Sequence, residues 1–275
     1  MRLVLFRLDP ILLDLGFLQI HWYGVCVALA LLALMFTLQR LGKGTGRTPD
    51  HISNLLTVIV IASLVGARAA YVLEHWTQGG YASNPLAIFN ITQGGFMFYG
   101  GLLLSGLALI IFAHRHRERL LGLYDLILTA LPLSHAIGRV GCFLQGCCFG
   151  RLCDNALGVT YPPRSHAWDK QFESGLIARG DPTLPVYPSQ LIEAAANLLI
   201  FAILLFTWRR RKHEGTQTAL YLALYATARF FLETLRFDTR LRVGPFTIGQ
   251  AISLALLALA AALFLRAWRR SSDRM

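Results

Sequence analysis

The chain reads as an all-α integral membrane protein of seven transmembrane helices, N-out and C-in, with a small head on the outer face formed by the loop between spans four and five. Three observations predict this. Of its 275 residues, 55% are hydrophobic and only 15% charged, where a soluble domain carries roughly a quarter charged residues. Seven apolar stretches, near 20–38, 52–73, 94–113, 120–138, 188–208, 218–235 and 246–265, each match the roughly 20 residues that cross a bilayer as a helix. Lysine and arginine are biased to one side. Arg40, Lys43, Arg47, Arg115, Arg117, Arg119, the run Arg209 to Lys212, Arg266, Arg269, Arg270 and Arg274 fall inside. Arg2, Arg7, Arg236, Arg240, Arg242 and five residues from Arg139 to Arg179 fall outside, half of that outer set in one long loop. The net charge of +11 is then a topology and lipid-headgroup signal, and nucleic acid is not an expected partner.

The stretch from Met1 to Gln19 holds only Arg2 and Arg7 as basic residues and offers no convincing small-residue cleavage site, so no signal peptide is expected. The first span opens with His21-Trp22-Tyr23-Gly24. Tyr23 suits an aromatic belt at the membrane surface, and equally a headgroup contact through its hydroxyl. The second span holds Gly66-Ala67-Arg68 near its outer end, where Arg68 either snorkels to headgroups or meets a ligand. Gly94-Gly95-Phe96-Met97-Phe98-Tyr99-Gly100-Gly101 opens the third span. Paired glycines permit close helix packing, or a broken start that lines a polar cavity. The fourth span leads into Gly138-Arg139-Val140-Gly141-Cys142-Phe143-Leu144-Gln145-Gly146-Cys147-Cys148-Phe149-Gly150, and a loop of about 151–187 follows, rich in proline. Too polar to span, that loop is expected to form the head. Pro188 opens the fifth span at a tolerated position, with Gln190 and Glu193 on one face. With no repeat or linker in view, residues 1–275 read as one membrane-embedded domain.

Arg68, Arg139, Glu193, Arg229 and Glu233 fall inside or at the ends of spans, where ionisable groups face a cavity or a partner. Asp125, near the inner end of span four, is expected to be solvated. Arg229 and Glu233 are four apart and able to pair, and Arg236 continues the same face. Arg68, Arg139, Arg229 and Arg236 bring guanidinium forks to outer-leaflet depth, and such forks suit phosphate oxygens. An anionic phospholipid is the implied ligand.

Five cysteines stand at Cys26, Cys142, Cys147, Cys148 and Cys153. The spacing C-x4-C-C-x4-C has no accompanying His pair, so neither zinc nor any other metal is expected. Packing beside glycines is the preferred reading; a disulfide on the outer face and thiol catalysis are the alternatives.

The His-Trp-Tyr-Gly opening, Gly-Ala-Arg in span two, the double glycines before span three, Gly-Arg-Val-Gly-Cys-Phe with Gly-Cys-Cys-Phe-Gly-Arg, Pro-Ser-Gln-Leu-x-Glu and Arg-Phe-x-x-Glu-x-x-Arg occur in this order over nearly the whole chain. In this the chain resembles the prolipoprotein diacylglyceryl transferases of bacterial inner membranes. The resemblance implies a seven-helix bundle with a periplasmic head and an active site toward the periplasm. It implies transfer of the diacylglyceryl group of phosphatidylglycerol to the lipobox cysteine thiol of a preprolipoprotein signal peptide. A thioether forms and glycerol 1-phosphate leaves, with no cofactor. Carried onto this chain, Arg139, Arg229 and Tyr99 form the catalytic set. Arg139, Arg229, Arg236, Tyr23 and Arg68 bind phosphatidylglycerol, and Glu233, Glu193 and Gln190 support them.

The chain departs from the common family pattern at Tyr99, where many members have a histidine assigned as the base for the thiol. Cys142, Cys147, Tyr187 and Ile192 are further departures. A divergent paralog with altered substrate is therefore the second reading. A transporter of anionic solutes and a lipid-binding scaffold without turnover are the others.

Overall fold

A computed structural model describes residues 10–16, 19–77, 79, 81–90, 94–163, 165–211, 213–237 and 242–272, without the side chains of Val243 and residues 268–272. Arg2, Arg7, Arg164, Lys212, Arg240 and Arg274, counted above for orientation, and most of the stretch searched for a signal peptide lie outside them.

The described chain is helical apart from two small antiparallel pairs. Strands β1 (Ile11–Asp14) and β2 (Gln19–His21) precede the first helix, and β3 (Arg242–Val243) and β4 (Phe246–Thr247) precede the last. The helices are α1 (Trp22–Lys43), α2 (Pro49–Glu74), α3 (Phe98–Arg115), α4 (Leu120–Gln145), α5 (His166–Glu173), α6 (Ser189–Trp208), α7 (Thr216–Leu232) and α8 (Ile248–Ser272). All but α5 and α7 are long and apolar enough to cross a membrane, six among the described residues. The stretch predicted as a span at 218–235 forms the 17-residue α7 and then a tighter turn, Glu233–Leu235. The third helix begins at Phe98, four residues later than expected, because Gly94 and Gly95 take φ of +81° and +84°. That left-handed region favours glycine and leaves the helical path. The fourth runs seven residues beyond the predicted end, so Arg139 and Cys142 are helical.

The chain divides into two compact units, residues 37–123 and residues 1–36 with 124–275. In the first, α2 and α3 approach through Gly66 and Gly100: a Cβ on either would strike the backbone of the other. Gly100 and Gly101 thus serve packing, while Gly94 and Gly95 shape the irregular start. Arg68 holds that start in place. Its Nε donates to the carbonyl of Ile88 (2.9 Å), Nη1 to Gly94 (2.9 Å) and Gly95 (3.1 Å), and Nη2 to Ala87 (3.0 Å) and Asn90 (2.8 Å). The same unit pairs Glu118 with Arg47 and His51.

In the second unit Asp125 is fully buried rather than solvated. Helix α7 starts after Gly215, which carries no capping side chain, so its first amide groups need an acceptor from elsewhere. Asp125 supplies it from α4, accepting from the amides of Gly215 and Thr218 (2.8 Å each) and the Thr218 hydroxyl (2.7 Å). Between α4 and α6, residues 146–188 form an irregular lobe around Phe149, Tyr161, Ala167 and Val186. Fully buried Gln171 braces it, donating to the Leu184 carbonyl (3.2 Å) and accepting from the Leu184 amide (2.8 Å).

Candidate functional site

Two ion pairs meet in the second unit. Arg229 and Glu233 stand one turn apart, and Nη2 lies 2.8 Å from Oε2. The Thr247 hydroxyl, 3.3 Å away, donates to the other carboxylate oxygen. Gly249 lets α8 come this close, since a Cβ there would lie within 2.6 Å of both carboxylate oxygens. Arg229 Nη1 is buried and has no hydrogen-bond partner among the described residues.

The second pair joins α4 to α6. Arg139 Nη2 lies 3.1 Å from Glu193 Oε1, and Glu193 is only 4% exposed. A carboxylate this deep requires a partner, and Arg139 is that partner. Arg139 Nε donates to His135 Nε2 at 3.2 Å, one turn back on α4. The same His135 Nε2 stands 3.5 Å from Glu193 Oε1. Asn197, one turn along α6, donates to the Glu193 carbonyl at 2.8 Å. Arg139 Nη1 makes no hydrogen bond within the described chain, so each of the two arginines keeps a donor edge unengaged.

Tyr225 links the pairs. It lies one turn before Arg229, its ring centroid 5.8 Å from that of His135. It is within electrostatic reach of Glu193, Arg229, Arg139 and Arg236. Arg236 is placed by its backbone: its amide donates to the Glu233 carbonyl (3.3 Å), and residue 236 forms a β-bridge with Gly150. Its guanidinium makes no hydrogen bond or ion pair among the described residues. His135 and Tyr225 were missed in the sequence, although each precedes a singled-out arginine by four residues and so shares its helical face.

Tyr23, 42% exposed on the first turn of α1, lies within electrostatic reach of Arg139. A Cβ on Gly141 would stand 2.7 Å from that of Cys26 and 3.4 Å from the Tyr23 ring, so glycine allows α4 and α1 to approach here. Gln190 faces away from Glu193. Its Nε2 donates to the Cys147 carbonyl (2.7 Å) and to the Tyr161 hydroxyl (3.1 Å). Burial pushes the Tyr161 phenol up from its ordinary value, against the opposing effect of the Gln190 bond. The Ser189 hydroxyl donates to the Cys148 carbonyl at 2.9 Å. The cysteines divide. Cys26 and Cys153 are buried, with the Cys153 thiol donating to Asn155 Oδ1 (3.0 Å). The sulfurs of Cys142, Cys147 and Cys148 lie within 4.8 Å of one another, and none of the five is in a disulfide.

Arg68 and Tyr99 belong to the other unit. All five guanidinium N–H bonds of Arg68 meet carbonyls, as described above. Tyr99 is 60% exposed on the first turn of α3, edge-on to Phe98.

The fold and these residues define a class: a multi-pass membrane protein holding partly engaged arginines among buried carboxylates, fit to bind an oxyanion. The family model described as prolipoprotein diacylglyceryl transferase matches residues 10–266. A phosphatidylglycerol–prolipoprotein diacylglyceryl transferase of Nostoc sp. is 34% identical over 260 residues, 91% of this chain and 86% of its own length. The protein of that name from Geobacter sulfurreducens is 30% identical over 259 residues, 92% of this chain and 93% of its own. One from Lactiplantibacillus plantarum is 33% identical over 276 residues, 98% and 92%. The chain belongs to the prolipoprotein diacylglyceryl transferase family.

Proposed function

We propose that this chain transfers the diacylglyceryl group of phosphatidylglycerol to the thiol of the lipobox cysteine in preprolipoprotein signal peptides. A C–O bond to phosphate breaks, a C–S bond forms, and glycerol 1-phosphate leaves. The observation that carries this reading beyond family membership is the pair of incompletely engaged arginines. Arg139 and Arg229 are each oriented by a buried carboxylate, yet each keeps a donor edge for a phosphate. As the leaving group departs, charge grows on the phosphate oxygens, and donors already in place stabilise it without reorganising. Arg236, whose guanidinium is unengaged, adds a third contact to the phosphate, and Tyr23 a hydroxyl to the headgroup. Glu193 and Glu233 position the Arg139 and Arg229 guanidiniums, and Gln190 supports the site from further off by holding the turn after α4 through the Cys147 carbonyl.

Arg68 takes a different role. Its donors are all used on carbonyls, so we assign it to anchoring Ala87, Ile88, Asn90, Gly94 and Gly95 instead of binding lipid. Tyr99 offers an exposed hydroxyl as a hydrogen-bonding contact to the substrate peptide. A phenol is a weak base, and we do not assign Tyr99 as the general base.

In this reading residues 1–275 act as one membrane-embedded domain of seven spans, with α7 as the sixth. The N-terminus lies outside and the C-terminus inside. The lobe of residues 146–188 and the arginine site face the periplasm from the bacterial inner membrane. Partners are membrane lipid and signal peptides, not nucleic acid. The test is direct. Purified protein is mixed with phosphatidylglycerol vesicles and a lipobox peptide, and the peptide gains the mass of one diacylglyceryl group on its cysteine. A peptide of unchanged mass overturns the reading.

A further inference from the structure

The three clustered thiols have no part in the function just given. Packing accounts for Cys26 and Cys153, which are buried at 7% and 2% exposure. It does not account for Cys148, which is exposed. Nor does it explain the backbone. Gly146 has φ +70° and Cys148 has φ +57°, one of only two non-glycine residues with positive φ among those described. A left-handed cysteine is strained by on the order of 1 kcal/mol and persists only where its surroundings hold it. They do so here: Gln190 grips the Cys147 carbonyl and Ser189 the Cys148 carbonyl, and the Cys147 amide donates to the Cys142 carbonyl at 3.1 Å. These two left-handed residues turn the chain back on the end of α4, and three sulfurs converge.

We propose that Cys142, Cys147 and Cys148 form a three-thiolate site for a thiophilic divalent cation of the zinc class. Its fourth position is open on the exposed side and receives the thiol of the peptide substrate. Three sulfurs bound at about 2.3 Å to one ion stand about 3.8–4.0 Å apart. The observed sulfurs all lie within 4.8 Å of one another, close to that spacing. All-sulfur donors select a soft cation over magnesium or calcium. Three protein ligands and an open fourth position are what a catalytic zinc site has, whereas a structural site is closed. The two earlier objections, an unfamiliar spacing and no His pair, concern closed structural sites.

The position gives the site its chemistry, and this part rests on the transferase reading above. Cys142 is one turn from Arg139 on α4, and the sulfurs lie within electrostatic reach of Arg139, Tyr23 and Arg236. The attacking thiol must become a thiolate, and a thiol bound to such a cation is deprotonated. The proton passes to solvent. The bound sulfur then gives its electron pair to the glyceryl carbon as the C–O bond breaks, and that bond's electrons leave on glycerol 1-phosphate. The metal keeps its oxidation state throughout.

The test begins with binding alone. Detergent-purified, reduced protein is titrated with Co²⁺, which reports sulfur ligation by a thiolate-to-cobalt charge-transfer band. One equivalent is expected to bind to the wild type. Cys142→Ser, Cys147→Ser and Cys148→Ser should each lose the band while melting within a few degrees of wild type, and Cys153→Ser should keep it. No band in wild type, or a disulfide found by mass among the three, overturns the proposal. A lipobox peptide is then added to the cobalt protein. The visible bands should shift with the cysteine peptide and not with its serine counterpart, and an unshifted spectrum overturns the open fourth position. Finally, chelation should lower diacylglyceryl transfer by about a hundredfold, the scale of losing proton-transfer help, and Zn²⁺ should restore it. Undiminished transfer after complete chelation overturns the catalytic part and leaves the transferase reading standing. A cobalt spectrum that responds to peptide, in a protein with no transfer under any metal, does the reverse.

Discussion

Arg68 and Arg229 are the same residue type in similar apolar settings, and their surroundings treat them in opposite ways. Arg68 meets five backbone carbonyls and has no donor left over. Arg229 is fixed by a single carboxylate and keeps Nη1 buried with no partner among the described residues. A guanidinium that is fully bonded to its own chain serves architecture. In the proposed reading, one that keeps an unpartnered donor is held for a ligand, because leaving that donor dry costs about 1–3 kcal/mol until something accepts from it. The count of engaged donors is, in that reading, what separates the two roles.

Substitutions can break this contrast or sharpen it. The largest effect is expected at Arg139 and Arg229. Replacing either by Ala should reduce transfer per folded molecule by about 10²–10³-fold, as when one charge-stabilising donor is removed, and should also lower the melting temperature, because Glu193 or Glu233 is left buried without its partner. Retained activity would erase the difference between the two arginine environments. Lysine at Arg229 should rescue poorly, since a point charge cannot keep both the Glu233 pair and a second directed bond.

Arg68→Ala should instead destabilise the protein, on the order of 3 kcal/mol for the loss of several charged hydrogen bonds. Proteolysis should appear within residues 85–97, while KM for phosphatidylglycerol stays within threefold, roughly the scatter of a surface change. A large rise in KM with unchanged melting would return Arg68 to the lipid site. Asp125→Ala removes the acceptor for the first amides of α7 and should cost about 2 kcal/mol, the upper range for a helix cap. Melting in detergent reads it. The smallest effect is expected for Tyr99→Phe, below about tenfold in kcat, because general acid–base loss starts near a hundredfold. A fall beyond that would give the Tyr99 hydroxyl a larger part in the reaction than a contact to the substrate peptide.

Much was legible in one dimension because the relevant physics is local. Apolar runs of membrane length, the i,i+4 spacing of Arg229 and Glu233, and glycine beside arginine all survive without coordinates. The pairing of Glu193 with Arg139 was not legible, since nothing between residues 139 and 193 says which faces of α4 and α6 meet. The burial of Asp125 was missed for a related reason. Its partners, Gly215 and Thr218, come some ninety residues later, and a carboxylate near a span end looks solvated until a helix start is docked on it. His135 and Tyr225 were passed over because histidine and tyrosine are unremarkable in spans until the charges around them are known.

By itself, then, the sequence determined the membrane class, the order of the helices and the family, and it singled out the arginines as a set. Tertiary structure decided how those arginines divide, with Arg68 surrounded by carbonyls and Arg229 left a donor short. It also decided that three cysteines converge while two remain buried apart. The physical reason is the same in each case. Hydrophobicity and helical spacing are summed along the chain, whereas satisfying a buried donor or gathering three sulfurs depends on which atoms arrive from elsewhere in space.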